Sequence, residues 1–254
     1  MFVDVHAHLT DSKYVDGVKP IVDNFKSVGV GLVISSGYDI ISSQKSKDLA
    51  DIYDCVYFSA GVHPDEAKTL DNQVIDQLIA LLSHKKCVAV GEIGFDFYWN
   101  KSTEEEQIFA FEKQMEIADH FGLPFVVHSR DASAKTVKFL TDRKSLIKHG
   151  FLMHCYSESA ETAKIYQNLG AYFSFGGVIT FKNAKKDEII KVIDRDRLLT
   201  ETDSPYLAPH PFRGQINEPS KIPLIANKMA EILNLEEREI KEVLRENARR
   251  LFGV

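Results

Sequence analysis

Most of the metal-binding side chains in this sequence fall at the ends of short apolar runs. Such runs are rich in Val, Leu and Phe and bounded by Gly or Pro, as is typical of strands buried on both faces of a parallel sheet. Polar or charged groups at buried strand ends cost free energy unless they are paired or bound to a metal ion. The pattern therefore predicts a metal site with six candidate ligands: His6, His8, Glu92, His128, His154 and Asp203.

Eight such runs alternate with segments that have helical apolar periodicity. We expect strands over Phe2–Val5, Gly31–Ser35, Val56–Gly61, Cys87–Gly91, Pro124–His128, Gly150–His154, Ala171–Ser174 and Leu198–Glu201. The clearest helix follows Ser102 and Thr103, which are N-cap candidates with Glu105 and Glu106 three residues further on. Strict alternation of strand and helix implies a parallel sheet with right-handed crossovers.

Eight strand–helix units in 254 residues match the size of one closed (β/α)8 barrel, the TIM barrel. A doubly wound open sheet is the competing α/β architecture, but it collects ligands from only a few strands at a topological switch point. The candidate ligands come from the first, fourth, fifth, sixth and eighth strands, which meet at one mouth only if the sheet closes. We predict one domain over residues 1–254, with the metal site at the C-terminal face of the barrel.

The positions of the histidines along the strands support their interpretation as metal ligands. His6 and His8 point to the same side of a strand because side chains two residues apart do so. His128 and His154 each close an apolar run, and either one alone is more typical of a hydrogen-bonded core or loop histidine. Two of them on neighbouring strands favour ligation of a metal ion.

Two carboxylates complete the candidate set. Glu92 is flanked by glycines, and a central carboxylate of this kind can bridge two cations, whereas a buried salt bridge is the alternative. Asp203 would lie beside His6 and His8 in a closed barrel, where it could ligate a metal and accept a proton from a bridging water. Its alternative is an N-cap or turn before a proline. Asp96 could instead hold a ligating imidazole from behind.

Three further residues are candidates for contact with substrate. His63 follows the third strand at the same face, and Arg130 and Arg213 lie in loops at the predicted mouth, where a guanidinium group suits phosphate. Ordinary surface arginine is the alternative for both. The longest segment without periodicity, residues 203–219, should border the substrate. Structural roles at helix C-termini fit His84, His120 and His149, whereas His210 lies in the final loop and has no assigned role.

Charge and cysteine content limit the classes of partner. The net charge of −6 argues against a broad basic surface that coats duplex DNA, although bound cations would reverse the local field. Cys55, Cys87 and Cys155 show no C-x-x-C spacing, which favours reduced thiols in a cytoplasmic protein. No apolar run approaches the ~18 residues that span a bilayer, and no signal-peptide pattern begins the sequence. We therefore expect no membrane partner, and no obligate protein partner is evident.

Several motifs in chain order resemble the TatD family of metal-dependent hydrolases, within the wider amidohydrolase-like barrels. They are Phe2–Leu9, Gly91–Gly94, Pro124–Arg130, His154–Ser157, Glu201–Pro205 and the loop Arg213–Pro219, so the resemblance covers essentially the whole chain. It implies a site for two divalent cations. One would be held by His6, His8, Glu92 and Asp203, and the other by Glu92, His128 and His154.

The resemblance also implies hydrolysis of phosphodiester bonds, as a DNase with 3′-5′ exonuclease character that acts on DNA, in particular on single-stranded ends. This chain departs from the family pattern twice. Ala134 stands where an acidic residue is usual, and Glu158 stands where glycine is common. Both departures bear on the shape of the mouth and therefore on the substrate.

We therefore expect a metallohydrolase in which Asp203 is the general base and Glu92 bridges the cations. Imidazoles and carboxylates without thiolate suit Zn, Mn, Ni or Co as well as Mg. A metal-dependent esterase or amidase, such as an aminoacyl-tRNA deacylase, is the catalytic alternative. Glu92 stands where related barrels often have a modified lysine, which disfavours a cyclic amidase. A non-catalytic metal-binding scaffold is the other alternative, and the complete ligand set argues against it.

Overall fold

The computed structural model of the protein describes residues 1–254 and contains one sheet of eight parallel strands. Each strand lies beside its neighbours in the chain, in the order β1 to β8. The strands are β1 (Phe2–Ala7), β2 (Val30–Ser36), β3 (Val56–Ala60), β4 (Cys87–Asp96), β5 (Phe125–Arg130), β6 (Phe151–Met153), β7 (Ala171–Phe175) and β8 (Leu198–Thr200). The predicted (β/α)8 barrel is confirmed.

Nine α-helices connect or follow the strands. They are α1 (Lys19–Val28), α2 (Ile40–Ile52), α3 (Asn72–Leu82), α4 (Glu104–Phe121), α5 (Ser133–Asp142), α6 (Ala160–Asn168), α7 (Asp187–Val192), α8 (Ile222–Leu233) and α9 (Glu237–Phe252). None of them combines the length and the apolar character that a membrane crossing needs. Short 3-10 segments lie between the main elements, and the longest of these, Pro64–Thr69, follows β3.

Strand β4 is longer than the sequence predicted. We expected it to end at Gly91, but it continues to Asp96, so Glu92 lies within the strand. The extension exists because Gly94 pairs with His128 of β5 after an irregularity in the register. A Cβ atom at position 94 would lie 2.0 Å from the carbonyl oxygen of His128, so only glycine permits this approach. The extension brings Asp96 to the C-terminal face.

Other predicted boundaries are close to those observed. Strand β6 ends at Met153 and β8 at Thr200, each one residue before the predicted end. The predicted capping box of α4 is confirmed, because the Thr103 hydroxyl accepts from the Glu106 N–H while the Glu106 carboxylate accepts from the Thr103 N–H. The helix ends at Phe121, and Gly122 caps it with a φ of 68°, a left-handed conformation that favours glycine.

The core has two parts, which decide which end of the barrel is open. Between the sheet and the helices, a large cluster buries the aromatic side chains Phe58, Phe95, Phe111, Phe125, Phe151 and Phe173. The opposite strand faces contribute a second cluster that includes Val5, Val126 and Leu152, and Leu251 and Phe252 of α9 join it. Helix α9 therefore closes the N-terminal end of the barrel. The C-terminal end is left for the polar side chains.

The barrel closes between β8 and β1 through backbone bonds at the C-terminal ends of the two strands. The Asp203 N–H donates to the His6 carbonyl at 3.0 Å, and the His8 N–H donates to the Ser204 carbonyl at 2.7 Å. These bonds run directly between candidate ligands or their neighbours. The same hydrogen bonds therefore close the sheet and position the candidate ligands.

A buried acid reinforces this seam. Asp4 is fully buried in β1, and its carboxylate accepts from the Thr202 N–H at 2.9 Å and from the Thr202 hydroxyl at 2.6 Å. Burial raises the pKa of Asp4 to about 7, against the lowering effect of the two bonds from Thr202. The seam is thus held by a polar cross-link that has no access to water.

We expect Thr202→Val to destabilise the protein, because the substitution leaves a buried Asp4 oxygen without its hydroxyl donor. Such a loss costs about 1–3 kcal/mol. Urea unfolding of metal-free protein measures the change in free energy of unfolding, and Thr202→Ser, which keeps the hydroxyl, is the matched control. Equal unfolding midpoints for the valine and serine variants would show that this bond does not stabilise the seam.

Candidate metal centre

The six candidate ligands converge at the C-terminal face of the barrel. Together with His63 they form three overlapping groups, and within each group all ligand atoms lie within 4.8 Å of one another. The groups are His6, His8 and Asp203; His6, Glu92 and His154; and His63, Glu92 and His128. The first strand thus shares a cluster with the end of the last, as a closed barrel requires. All six lie at the C-terminal face, and their role as metal ligands stays a prediction.

Glu92 lies at the centre of the cluster, and each of its oxygens faces a different pair of imidazoles. Oε1 is 3.5 Å from His6 Nε2 and 3.4 Å from His8 Nε2. Oε2 is 3.0 Å from His154 Nε2 and 3.7 Å from His128 Nδ1. The carboxylate is buried, with 3% of the residue exposed. One carboxylate is therefore positioned between two sets of ring nitrogens.

The residues fit divalent cations. His6 Nε2 is buried without a hydrogen-bond partner, and it lies 3.5 Å from Glu92 and 3.8 Å from Asp203. These separations are long for hydrogen bonds, but they suit atoms that share an ion at about 2.0–2.2 Å each. His128 Nδ1 and His154 Nε2 also face each other at 3.2 Å. Imidazole nitrogens and carboxylate oxygens that converge in this way suit a cation site.

The outward nitrogens of three imidazoles are held by other groups. His6 Nδ1 contacts the Ser36 hydroxyl at 3.1 Å, and His8 Nδ1 contacts the Ser36 carbonyl at 3.2 Å. His128 Nε2 lies 3.0 Å from Asp96 Oδ2, which is the role suggested for Asp96 as an alternative to ligation. A partner on the outer nitrogen orients the ring and directs the other nitrogen inward. The cluster is thus pre-oriented by its surroundings.

Two residues that support the candidate ligands, Ser36 and Glu201, were not predicted from the sequence. Ser36 ends β2, and a serine at a strand end carries no signal that separates it from any other. Glu201 is fully buried; Oε2 accepts from the Ser174 hydroxyl, while Oε1 has no hydrogen-bond partner and lies 3.7 Å from His154 Nδ1. Its position two residues before Asp203, at the end of an apolar run, was a signal that could have found it.

The charges of the cluster depend on one another. Burial alone would raise the pKa of Glu92, but His6 and His154 hold it well below its usual range. Burial lowers the pKa of His8, yet Asp203 and Glu92 outweigh that effect and raise it to about 9. In the absence of a cation, protonated imidazoles therefore balance the central carboxylate.

His63 lies against the cluster and is electrically neutral. Burial, together with the neighbouring His128 ring at a centroid distance of 4.3 Å, lowers its pKa to about 3. Its Nδ1 accepts from the Asp65 N–H at 3.1 Å, which fixes the ring. His63 offers a nitrogen to the same group as Glu92 and His128. The structure thus places it closer to the candidate ligands than the sequence alone indicated.

The two candidate arginines have different positions. Arg130 lines the cavity of about 610 Å³ that opens above the candidate ligands. Arg213 does not line this cavity; its guanidinium carbon lies 4.9 Å from the Phe181 ring centroid. Its loop runs beside the residues that follow β7, and a contact between Arg213 and substrate stays a prediction. Tyr206 and Leu207 of the same loop do line the cavity.

The two departures from the family pattern meet at one turn. The Glu158 carboxylate accepts from the Ser129 hydroxyl at 2.8 Å and from the Ser133 hydroxyl at 2.6 Å. Ser133 begins α5, the helix that also carries Ala134. An acidic group therefore reaches this turn from the loop after β6. Hydrogen bonds from the two hydroxyl groups hold it in place, and it does not line the cavity.

The barrel and its buried cluster of imidazoles and carboxylates define a metallohydrolase barrel. The profile of the family described as "TatD related DNase" matches residues 3–253, and the chain belongs to this family of metal-dependent hydrolases. The resemblance seen in the sequence motifs is thereby confirmed.

Individual relatives agree with this assignment. The chain is 37% identical over 255 residues to the uncharacterized metal-dependent hydrolase YabD of Bacillus subtilis, with 100% of each chain covered. It is 34% identical over 256 residues to the uncharacterized metal-dependent hydrolase YcfH of Escherichia coli K12, covering 99% of this chain and 96% of that protein. The crystal structure of the E. coli TatD homolog YJJV superposes with a TM-score of 0.92 and 28% identity, covering 100% and 98%.

We expect metal binding to compete with protons. The pKa of His8 is raised to about 9, and those of His128 and His154 are also raised, so protons on these rings compete with a cation for the ring nitrogens. Affinity for Mn²⁺ should therefore rise with pH up to about 9 and fall as pH decreases. Competition titrations between pH 6 and 8.5 measure it. An affinity that is constant over this range would contradict the proposed charge balance.

We also expect Glu201→Gln to weaken metal binding by about 10- to 100-fold, because it removes the negative charge behind His154 Nδ1. Equilibrium titration with Zn²⁺ against a chelating indicator gives the affinity directly. Glu112→Gln is the matched control, since Glu112 pairs with Arg143 on the outer surface and is remote from the cluster. Identical Zn²⁺ affinities of the two variants would show that Glu201 does not support metal binding.

Proposed function

We propose that this hydrolase cleaves phosphodiester bonds in DNA, with 3′-5′ exonuclease character, using two divalent cations. The observation that carries the proposal is the Glu92 carboxylate, whose two oxygens face separate imidazole pairs. A carboxylate shared between two cations is typical of enzymes that hydrolyse phosphodiesters. The family description "TatD related DNase" supports a nucleic acid as substrate.

The ligand sets follow from the two sides of Glu92. His6, His8 and Asp203 would hold one cation with Oε1, and His128 and His154 would hold the other with Oε2. The cations, when bound, would lower the pKa of a water molecule and stabilise charge on the attacked phosphate. Imidazole and carboxylate donors suit Mg, Mn, Zn, Ni or Co.

Asp203 is the proposed general base. Burial would raise its pKa, but the bond from His8 and the nearby imidazoles lower it below its usual range, so the carboxylate is ionised at neutral pH. It lines the cavity, where it can accept the proton of the attacking water. His63, which is neutral, could hydrogen-bond to a phosphate oxygen or the leaving group. Arg130 adds positive charge at the outer wall of the same cavity.

Glu92 has the bridging role and positions both ligand sets. Because the carboxylate is buried and ionised, it supplies a fixed negative charge that does not depend on solvent.

We also propose that the protein is cytoplasmic. The proposal is supported by its three cysteines, which form no disulfide.

We expect Asp203→Asn to reduce nucleotide release from 3′-labelled single-stranded DNA by about 10²- to 10⁴-fold, the usual contribution of a general base. The assay uses metal-stripped protein with Mg²⁺, Mn²⁺ or Zn²⁺ restored, and the metal content of each variant is measured in parallel. Glu66→Gln is the matched control, because Glu66 lines the same cavity without contacting any candidate ligand.

Two results would contradict the proposal. Release that continues without metal, or that is equal in the Asp203→Asn variant at equal metal content, would exclude the proposed chemistry. Protein with bound ions that cleaves an aminoacyl ester of tRNA but no phosphodiester would instead support the esterase alternative.

A further inference from the structure

The single tryptophan of the chain lies exposed at the rim of the cavity. Trp99 and the neighbouring Tyr98 follow β4, and each has 55% of its surface exposed. Their rings are perpendicular, with centroids 4.9 Å apart and an interplanar angle of 88°. Trp99 lines the cavity that contains Glu92 and His128. Two large aromatic rings left in water beside an active-site cavity indicate a surface for a ligand.

Two cationic side chains accompany these rings. The guanidinium carbon of Arg130 lies 4.0 Å from the Tyr98 ring centroid and 5.5 Å from that of Trp99. Lys101 Nζ lies 5.9 Å from the Trp99 centroid and 3.0 Å from an Asp65 oxygen. Arg130 makes no ion pair and no side-chain hydrogen bond, so its charge is available to an anionic ligand. Flat aromatic faces and an unpaired guanidinium group thus lie together.

The aromatic pair is fixed relative to the metal centre by one carboxylate. Asp96 Oδ1 accepts from the backbone N–H groups of Tyr98 and Trp99, both at 2.9 Å. Its other oxygen, Oδ2, lies 3.0 Å from His128 Nε2. Asp96 is fully buried. A ligand stacked on these rings would therefore be held in a constant position relative to the candidate ligands.

Electrostatics explain why a nucleic acid would need such a surface. The cavity wall carries the carboxylates of Asp11, Asp65, Glu66, Glu92, Asp96 and Asp203. The whole chain has a net charge of −6, so long-range attraction to a polyanion is weak. Stacking of a base on an aromatic ring does not depend on net charge and tolerates any base. It supplies affinity that the surface charge does not.

We propose that Trp99 and Tyr98, together with Arg130, form a subsite for an unpaired nucleobase next to the cleaved phosphate. The inference rests on the proposed function and extends it to the substrate's bases. Because a base in a duplex is held by its paired partner and its stacked neighbour, the subsite selects single-stranded chains, whose bases are free to turn onto the rings. Purines, with the larger ring surface, bind it better than pyrimidines. Arg130 contacts the neighbouring phosphate.

Because Trp99 is the only tryptophan, its fluorescence reports occupancy of the subsite directly. Metal-loaded wild-type protein is titrated with single-stranded dA6 carrying phosphorothioate linkages, which resist hydrolysis. An abasic chain of equal length and a blunt duplex are the comparison ligands. We expect saturable quenching with dA6 and little with the other two. Equal quenching by the abasic chain at equal occupancy would overturn the proposal.

Kinetics supply the second readout. We expect Trp99→Ala to raise KM for 3′-labelled single-stranded dA6 by about 5- to 140-fold, the range of one lost base-stacking contact, with kcat little changed. On an abasic chain the variant should equal wild type, and Trp99→Phe should recover part of the loss on dA6. Phe109→Ala is the matched control, because Phe109 is 54% exposed on α4 and does not line the cavity.

The outcomes separate this proposal from the proposed function. Cleavage of dA6 by Trp99→Ala with the KM of wild type would exclude the subsite while leaving the nuclease intact. An equal loss on dA6 and on the abasic chain would show a general defect and would also exclude it. If the wild-type protein cleaves no phosphodiester, the proposed function fails, and quenching by dA6 but not by the abasic chain decides the subsite alone.

Discussion

The buried carboxylate of Glu92 is the constraint on which the rest of the structure depends. A negative charge with 3% of its residue exposed costs free energy unless positive charge surrounds it. Four imidazoles supply the surroundings, and each contacts one of the two oxygens at 3.0–3.7 Å. In the protein without cations, protons on the imidazoles balance the charge, and bound cations would replace those protons. The cluster is therefore organised for exchange between protons and metal ions.

Only a closed barrel brings these groups together, since they come from strands that are far apart in the sequence, including the first and the last. The seam between β8 and β1 is stabilised by backbone bonds of Asp203 and His8 and by the buried pair of Asp4 and Thr202. The extension of β4 has a comparable role, because it carries Asp96 to the point where one carboxylate holds both His128 and the aromatic rim. Fold, ligand cluster and cavity rim are linked by individual hydrogen bonds.

The sequence predicted the features that follow from periodicity and strand ends. The alternation of apolar runs and helical segments predicted the barrel, and the polar residues after those runs identified all six side chains that converge. It did not predict that β4 continues past Gly91, since Gly91 and Gly94 resemble a strand terminus until the approach of the β5 backbone is known. Ser36 orients His6 and His8 through contacts between residues distant in sequence, which no local pattern shows. The position of Arg213 depended on the path of a long loop, which no local pattern determines.

Diffraction from crystals of the zinc-loaded protein tests most directly whether two cations share Glu92. Anomalous difference maps from data collected at the zinc absorption edge show the position of each bound zinc ion. We expect two peaks, one on each side of the Glu92 carboxylate, with each peak about 2.0–2.2 Å from one of its oxygens. A single peak, or two peaks of which one does not contact Glu92, would contradict this expectation.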